Sequence, residues 1–516
     1  MIKKWLKVHP SALFAIMLGL MLVLAFAPFE IFPLAIIAPA GLLALILHAT
    51  PKRAAWLGFL FGIGLFGAGV YWIYISIHTY GDVPSILAYL ITAALICILA
   101  LFPASVCYLV TRYFPGQSTT KLVCAFPAVW LAIEWVRSWI ACGFPWLFLG
   151  YSQTNSPLRG FAPILSVYGI SLVVLITSGL LVSAVLKYRA GELRSLYYNL
   201  LSIAAIWITG ALLSLIPWTE SSHAPLTVSL VQGNIPQSLK WSPEHVNLSF
   251  DRYREMTEPL WGKSELIVWP EAAIPMTLDN ASNFIDDMDD LARKNGSHLI
   301  LGIPIDNPRG EGYFNALISL GKDRTFYFKR LLVPYGEYVP FQQLSSRVLS
   351  FMDVPMANMV PGSYSQKPMN VGGIKINTSI CFEIAFPDLI RTSDSNVGML
   401  LTVTNDAWFG KSTAQAQHLQ MAKMRALELG RPVLFASNDG ITAIIGPHGQ
   451  VEASAPQHVP YVLTGKVQPM TGLTPWMMNG FDPILVIMFS LIFIARRSTK
   501  KSSDTILNGA KASSLI

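Results

Sequence analysis

Apolar residues run almost unbroken through the first 217 positions and then become intermittent. Long apolar runs cover 11–28, 33–49, 55–77, 84–111, 122–141, 161–186 and 197–217, and another, 482–495, lies near the end. A helix crossing a bilayer needs roughly 17–25 such residues, so the pattern predicts about eight membrane spans. The last run is short by that measure, but Trp476 precedes it and Arg496 and Arg497 close it, an aromatic and basic anchoring pattern. The first run follows MIKKWLKVHP and ends on Ala25-Phe26-Ala27, the form of a secretory leader with a small-residue cleavage site. The second run starts at Pro33 with no soluble stretch between, and Pro28 follows the site directly. An uncleaved helical hairpin is expected.

Between about 220 and 470 short apolar runs end in polar or turn residues: VSLVQGN (228–234), LIVWPE (266–271), LILGIP (299–304), INTSICFE (376–383) and LLTVTND (400–406). Helical patterns, such as 281–294 and 414–429, lie between them. Strands alternating with helices predict an α/β domain around a central sheet. The organisation expected is a seven-span region over 1–217, an α/β domain over 220–470, an eighth span over 482–495 and a polar, disordered tail over 498–516.

Only 13% of the 516 residues are charged and mean hydropathy is +0.48. That excludes a disordered chain, a coiled coil and an ordinary cytosolic enzyme. The net charge of +7 would suit a nucleic-acid partner if the basic residues formed a patch. Instead they flank the apolar runs. Lys3, Lys4, Lys7, Lys52, Arg53, Arg112, Lys121, Lys187, Arg189, Arg194, Arg496, Arg497, Lys500, Lys501 and Lys511 would share one side, and Arg137 and Arg159 the other. The asymmetry predicts cytoplasmic termini and an extracytoplasmic 220–470 segment.

Cys97, Cys107, Cys124 and Cys142 belong to the apolar part, so Cys381 is the sole cysteine of the α/β segment. No spacing suits zinc or a disulfide framework. Cys381 is either a buried, inert thiol or a nucleophile; its place at the end of KINTSI favours the second, because strand ends present nucleophiles. A nucleophile needs a base and an oxyanion stabiliser. His418 falls in a helical pattern, and His223 and His458 fall in linkers. Glu271, ending ELIVWPE, is the better base, though a single Glu is commonly a solvated loop carboxylate. Lys329, in FYFKRLLVPYGEYVP, is either a snorkelling lysine or one held in a site. In the apolar part, Glu134 and Arg137 stand three apart, which reads as an intrahelical ion pair at the interface. The aromatic stretch 143–153 after them reads as a loop in the outer leaflet's interface.

The order Glu, Lys, Cys at successive strand ends resembles the nitrilase superfamily. WPE (269–271), FYFK (326–329), CFE (381–383) and TNDAWF (404–409) carry the likeness. QGNIPQSLKW (232–241), LVPYGEYVP (332–340), FAPFEIFPLA (26–35) and GFPWLFLGYSQ (143–153) extend it across nearly the whole chain. The match is to the membrane-bound branch, the apolipoprotein N-acyltransferases. The resemblance implies a polytopic α-helical membrane domain and an extracytoplasmic α-β-β-α sandwich domain. It implies Glu271 as general base, Lys329 as cationic stabiliser and Cys381 as nucleophile. A lysine eases thiolate formation. Glu337 would support the site, and Glu383 and Trp241 would lie near the pocket, Trp241 as a groove wall or an ordinary core residue. Position 382 is commonly Tyr in the family; Phe382 keeps an aromatic wall without the hydroxyl.

The implied reaction moves a fatty acyl chain from a membrane phospholipid, usually phosphatidylethanolamine in this family, onto Cys381. The chain then passes to the α-amine of an S-diacylglyceryl-cysteine at an apolipoprotein N-terminus. The setting would be a bacterial inner membrane, with no metal or soluble cofactor and no nucleic acid. Two rivals remain at this level. A membrane-tethered carbon-nitrogen hydrolase would use the same three residues, but a single anchor would suffice for it. A transporter or scaffold would usually carry ionisable or broken sites in mid-membrane, where this chain has little beyond Glu134.

Overall fold

The computed structural model describes residues 10–338 and 358–513. Lys3, Lys4 and Lys7, and the end of the LVPYGEYVP run, lie outside them. The chain divides into two compact units: one holds 10–71, 90–216 and 479–513, the other 72–89 and 217–478.

The first unit is helical. Its helices include Pro10–Val23, Leu34–Ile46, Pro51–Gly69, Phe126–Arg137 and Asp482–Ser513. Among the described residues three helices are long and apolar enough to cross a membrane, Ser85–Tyr113, Pro157–Arg189 and Leu193–Leu213. The pair Pro51–Gly69 and Trp72–Tyr80, bent by 52°, makes a fourth if it is one span. Glycines set the closest contacts. A methyl group on Gly19 would overlap the Phe61 carbonyl, and one on Gly64 would overlap the Ile16 carbonyl. The helices Pro10–Val23 and Pro51–Gly69 therefore meet backbone to backbone, as apolar helices do where side chains are smallest.

Four expectations change here. The run 55–77 is not one helix: it breaks after Gly69, and Trp72–Ile75 and the π-turn Ser76–Tyr80 belong to the second unit. The glycine-rich GAG before the break holds a helix weakly. Beyond it, Trp72 Nε1 donates to Gln417 Oε1 at 3.3 Å, its ring stands on Phe409, and Ser76 Oγ donates to the Trp408 carbonyl at 2.7 Å. Glu134 and Arg137 are buried within the unit, and their side chains bond to other residues rather than to each other. Glu134 Oε1 accepts from Trp130 Nε1 and from the Leu149 N–H, each at 3.1 Å. Arg137 donates to the Trp146 carbonyl at 2.7 Å, with its guanidinium over the Phe66 and Phe148 rings. Both side chains thus hold the stretch after them, and 145–153 is packed inside the unit rather than exposed on it. The tail is not irregular either: the last helix runs to Ser513. Extending a formed helix needs no new nucleus.

The second unit is a two-sheet sandwich. In chain order its strands are β1 (Glu220–Ser221), β2 (Leu226–Gln232), β3 (Leu266–Val268), β4 (His298–Asp306), β5 (Tyr313–Leu320), β6 (Phe326–Phe328) and β7 (Met369–Val371). β8 (Ile374–Ile380), β9 (Val397–Thr404), β10 (Val433–Ser437), β11 (Ala443–Ile445), β12 (Val451–Ser454), β13 (Tyr461–Val467) and β14 (Met470–Thr471) follow. One six-stranded sheet has the order β13-β2-β3-β4-β5-β6, the other β12-β11-β10-β9-β8-β7. β1 and β14 form a small pair of their own. The five apolar runs singled out above are β2, β3, β4, β8 and β9, and the two helical patterns are Ser282–Asn295 and Ala414–Leu429.

The period-two alternation of strands builds the layers. Val228, Leu230, Val268 and Ile300 of one sheet pack against Ile376, Ile380, Leu401 and Val403 of the other. Val231, Ile267, Leu299 and Leu301 point the opposite way, under Tyr253, Ile285 and Met288 of covering helices. Leu400, Val433 and Phe435 point out of the second sheet, beneath Ala422 and Ala426 of Ala414–Leu429. The result is the α-β-β-α sandwich that the resemblance implied.

Candidate active site

The expected site residues stand just past the C-terminal ends of three strands, two in one sheet and one in the other. Glu271 follows β3, Lys329 follows β6, and Cys381 follows β8. Two local devices make these exits possible. The chain after β3 crosses β4 at Gly302, where any Cβ would lie 2.5 Å from the Pro270 carbonyl oxygen. Cys381 itself has φ +52°, a left-handed conformation that side chains other than Gly and Asn seldom adopt. That backbone turns the thiol out of the strand at a sharp elbow.

Lys329 is 1% exposed, and its ammonium lies between two carboxylates. Nζ is 3.3 Å from Glu271 Oε1 and 2.7 Å from Glu337 Oε1. Burial disfavours the charge, but Glu271 and Glu337 outweigh it and hold the ammonium well above its ordinary range. Asn315, on β5, donates to Glu271 Oε1 at 2.7 Å and to Glu337 Oε1 at 3.2 Å. The Asn405 N–H donates to Glu271 Oε2 at 2.9 Å, and the Val333 N–H to Glu337 Oε2 at 2.8 Å. Every oxygen of the two carboxylates is thus held from a fixed direction.

Cys381 is partly exposed, which leaves it open to a substrate. Its thiol is raised well above the usual range, first by desolvation and then by the charge of Glu271, with Asp406 adding to it. Lys329 and the Thr404 hydroxyl pull the other way. This corrects the expectation of a ready thiolate. The lysine is there, but its charge is already matched by Glu271 and Glu337.

Glu383 lies in the turn that begins at Cys381. Its carboxylate is fully buried and accepts from the Ile380 N–H at 2.7 Å, the Arg330 N–H at 2.7 Å, the Leu331 N–H at 3.2 Å and the Tyr327 hydroxyl at 2.7 Å. One carboxylate therefore ties the residue before the cysteine to the residue after the lysine. Burial raises its pKa, against Arg330 and these donors. Phe382 packs edge-on against Phe386 with centroids 4.9 Å apart. Trp241 is half-buried.

Several residues of the site escaped the sequence reading. Lys240 is buried and donates from Nζ to the Glu271 carbonyl at 3.1 Å. Burial pushes it down to about 8, against the pull of Glu271 and Asp439. Asp439 is pushed up to about 6 by its own burial and by Asp406. Asn438 bonds both backbone groups of Ile235 and donates to Asn405 Oδ1, which braces the loop that holds Glu271. For Lys240 the signal was adjacency to Trp241; for Asn315, inside an apolar strand, a lone amide among YFNALISL was the only hint.

Comparison with known proteins covers both units. The family model for the apolipoprotein N-acyltransferase N-terminal domain matches residues 18–180, and that for carbon-nitrogen hydrolases matches 227–475. A protein of Coxiella burnetii named apolipoprotein N-acyltransferase is 41% identical over 485 residues, 93% of this chain and 99% of the relative. Namesakes from Methylococcus capsulatus and Azotobacter vinelandii are 38% and 39% identical over 499 residues, covering 96% and 95% of this chain and 97% and 96% of their own.

Proposed function

The chain belongs to the apolipoprotein N-acyltransferase family, enzymes of the carbon-nitrogen hydrolase superfamily that N-acylate lipoproteins, and we propose that it works through a thioester on Cys381 with a phospholipid as donor. The observation that carries this reading is the single geometry joining Glu271, Lys329 and the elbow at Cys381. In the first half-reaction Sγ attacks an ester carbonyl of the phospholipid while Glu271 takes the thiol proton. The Lys329 ammonium faces the oxyanion that forms. Glu271 returns the proton to the departing lysophospholipid oxygen, and the acyl chain stays on sulfur. In the second half, the α-amine of the diacylglyceryl-cysteine attacks the thioester. Glu271 accepts a proton from the amine, the C–S bond breaks, and the thiol is restored as the amide leaves. Phosphatidylethanolamine is the donor proposed, and Trp241 with Phe382 the walls that keep water from the thioester.

The test is discharge. Protein loaded with acyl chain is mixed with a diacylated lipopeptide carrying a free α-amine; loss of the adduct together with amide formation is expected. N-acetylation of the lipopeptide should block the release. Loss in buffer alone, with free fatty acid formed at the same rate with or without lipopeptide, would make the chain a tethered hydrolase.

The proposed setting is a bacterial inner membrane crossed eight times, with both termini in the cytoplasm and the sandwich outside it. The distribution of lysine and arginine supports this. A cysteine placed at the exposed position of His223, on a cysteine-free background, should react with an impermeant thiol reagent added outside the membrane. Reaction only from the cytoplasmic side would overturn the topology.

A further inference from the structure

His418 falls in a helical pattern, away from any strand end, and the mechanism above does not use it. Its side chain nonetheless reaches the nucleophile's backbone. It is 1% exposed on the helix Ala414–Leu429, edge-on to Phe435. Nε2 lies 3.1 Å from the Cys381 carbonyl oxygen, and Nδ1 lies 3.1 Å from Asp406 Oδ1. Asp406, fully buried, also accepts from the Thr404 hydroxyl at 2.8 Å through that same oxygen. A carbonyl oxygen can only accept, so Nε2–H donates to Cys381, and with a carboxylate oxygen facing Nδ1 as well the ring donates from both nitrogens, as an imidazolium does. A carboxylate on the other nitrogen fixes the ring's orientation, as an aspartate does for a histidine in other nucleophile sites.

We propose that His418, oriented by Asp406, is a positioning residue that holds the Cys381 elbow in its reactive conformation. Two features give the contact leverage. Cys381 at φ +52° is strained, and such a conformation persists only where neighbours over-determine it. Glu383 holds the N-terminal side of the elbow through the Ile380 N–H, and His418 holds the C-terminal side through the Cys381 carbonyl. The two anchors come from different elements and leave the Cys381 backbone little freedom to relax. The peptide that carries this carbonyl is planar and trans, so fixing its oxygen also fixes the direction of the Phe382 N–H. His418 therefore sets both the aim of Sγ and the orientation of the next backbone donor, without touching the acyl group. No bond is made or broken at the imidazole.

The proposal rests on Cys381 being the nucleophile, so Cys381→Ser is run alongside. If Cys381→Ser still turns over, that reading fails, whatever His418 does. With Cys381→Ser inactive, His418→Leu, which keeps bulk and loses the donor, should slow single-turnover acyl loading about 100-fold, the scale of a 1 Å misplacement. KM for phospholipid should stay within about twofold, because ground-state binding is untouched. His418→Gln can still present an N–H near the Nε2 position, and it should recover loading to within about tenfold of the parent. Equal losses in the Leu and Gln variants, a loss confined to KM, or loading by His418→Leu at the parent rate would each overturn the proposal. If His418→Leu does not fold, Asp406→Ala gives the reading instead, since it removes every side-chain atom that can bond Nδ1, which an amide at that position would not. Slower loading at constant KM supports the proposal, and an unchanged rate overturns it.

Discussion

Protein purified from membranes should carry a fatty-acyl mass on Cys381, and Cys381→Ser should carry none. The expectation comes from the environment of the sulfur rather than from its identity alone. The resting thiol is held protonated by burial and by Glu271, so small electrophiles and oxidants meet a poor nucleophile. An ester brought into line meets a thiol with a carboxylate ready to receive its proton. Once formed, the thioester is neutral, and attack by water requires the same base to act on a nucleophile that no lipid anchor holds in place. An amine delivered by a lipid-linked peptide gains by proximity what free water lacks. Intact-mass measurement reads the result directly, because the other four cysteines lie outside the second unit and stay in the Cys381→Ser protein as internal controls. An acyl mass that persists in Cys381→Ser would place the adduct elsewhere and remove this residue from the mechanism.

The strands of the second unit were legible because they announce themselves, but their pattern pointed to one central sheet, and the two-sheet sandwich came from the resemblance alone. A buried strand reads as a short apolar run with a polar stop, and Glu271 and Cys381 are two of those stops. The site's supporting residues were much less so. Asn315 hides in an apolar strand, and Lys240 sits on a four-residue helix; their contacts join segments far apart in sequence. His418 shows the limit most clearly. Its helical spacing was read correctly, yet one face of that helix lies over the end of β8, and no one-dimensional pattern reports which strand end a helix covers. Charge was misread in the same way. Proximity of a lysine to a cysteine suggests a thiolate, but desolvation of the sulfur, with the charges of Glu271 and Asp406, gives the opposite sign. The apolar part was read too simply as straight spans. Its break after Gly69 depends on partners for Trp72 and Ser76 that lie more than three hundred residues away.

The charge balance yields the last expected result, in which two inactive variants part company. Glu271→Gln should lower turnover by about 10²–10⁴-fold, the span of a general base. Replacing Lys329 should cost about 10²–10³-fold, the span of one oxyanion donor. Lys329→Met alone would strand Glu271 and Glu337 side by side without their cation, a change that destabilises buried sites. Lys329→Met with Glu337→Gln keeps the local charge balanced and is the variant to compare. Alkylation of Cys381 by iodoacetamide then separates the two roles, because it needs a thiolate but no proton delivered to a leaving group. Glu271 raises the thiol and Lys329 lowers it. Losing the glutamate therefore brings the thiol down, increases the thiolate fraction at neutral pH and speeds alkylation. Losing the lysine takes the thiol further up and slows alkylation, with the rate recovering only as pH rises. Turnover falls in both variants while alkylation moves in opposite directions. If Glu271→Gln instead slowed alkylation at every pH, the carboxylate would be acting on the thiol by position and not by charge, and the protonated resting thiol would be the wrong starting state.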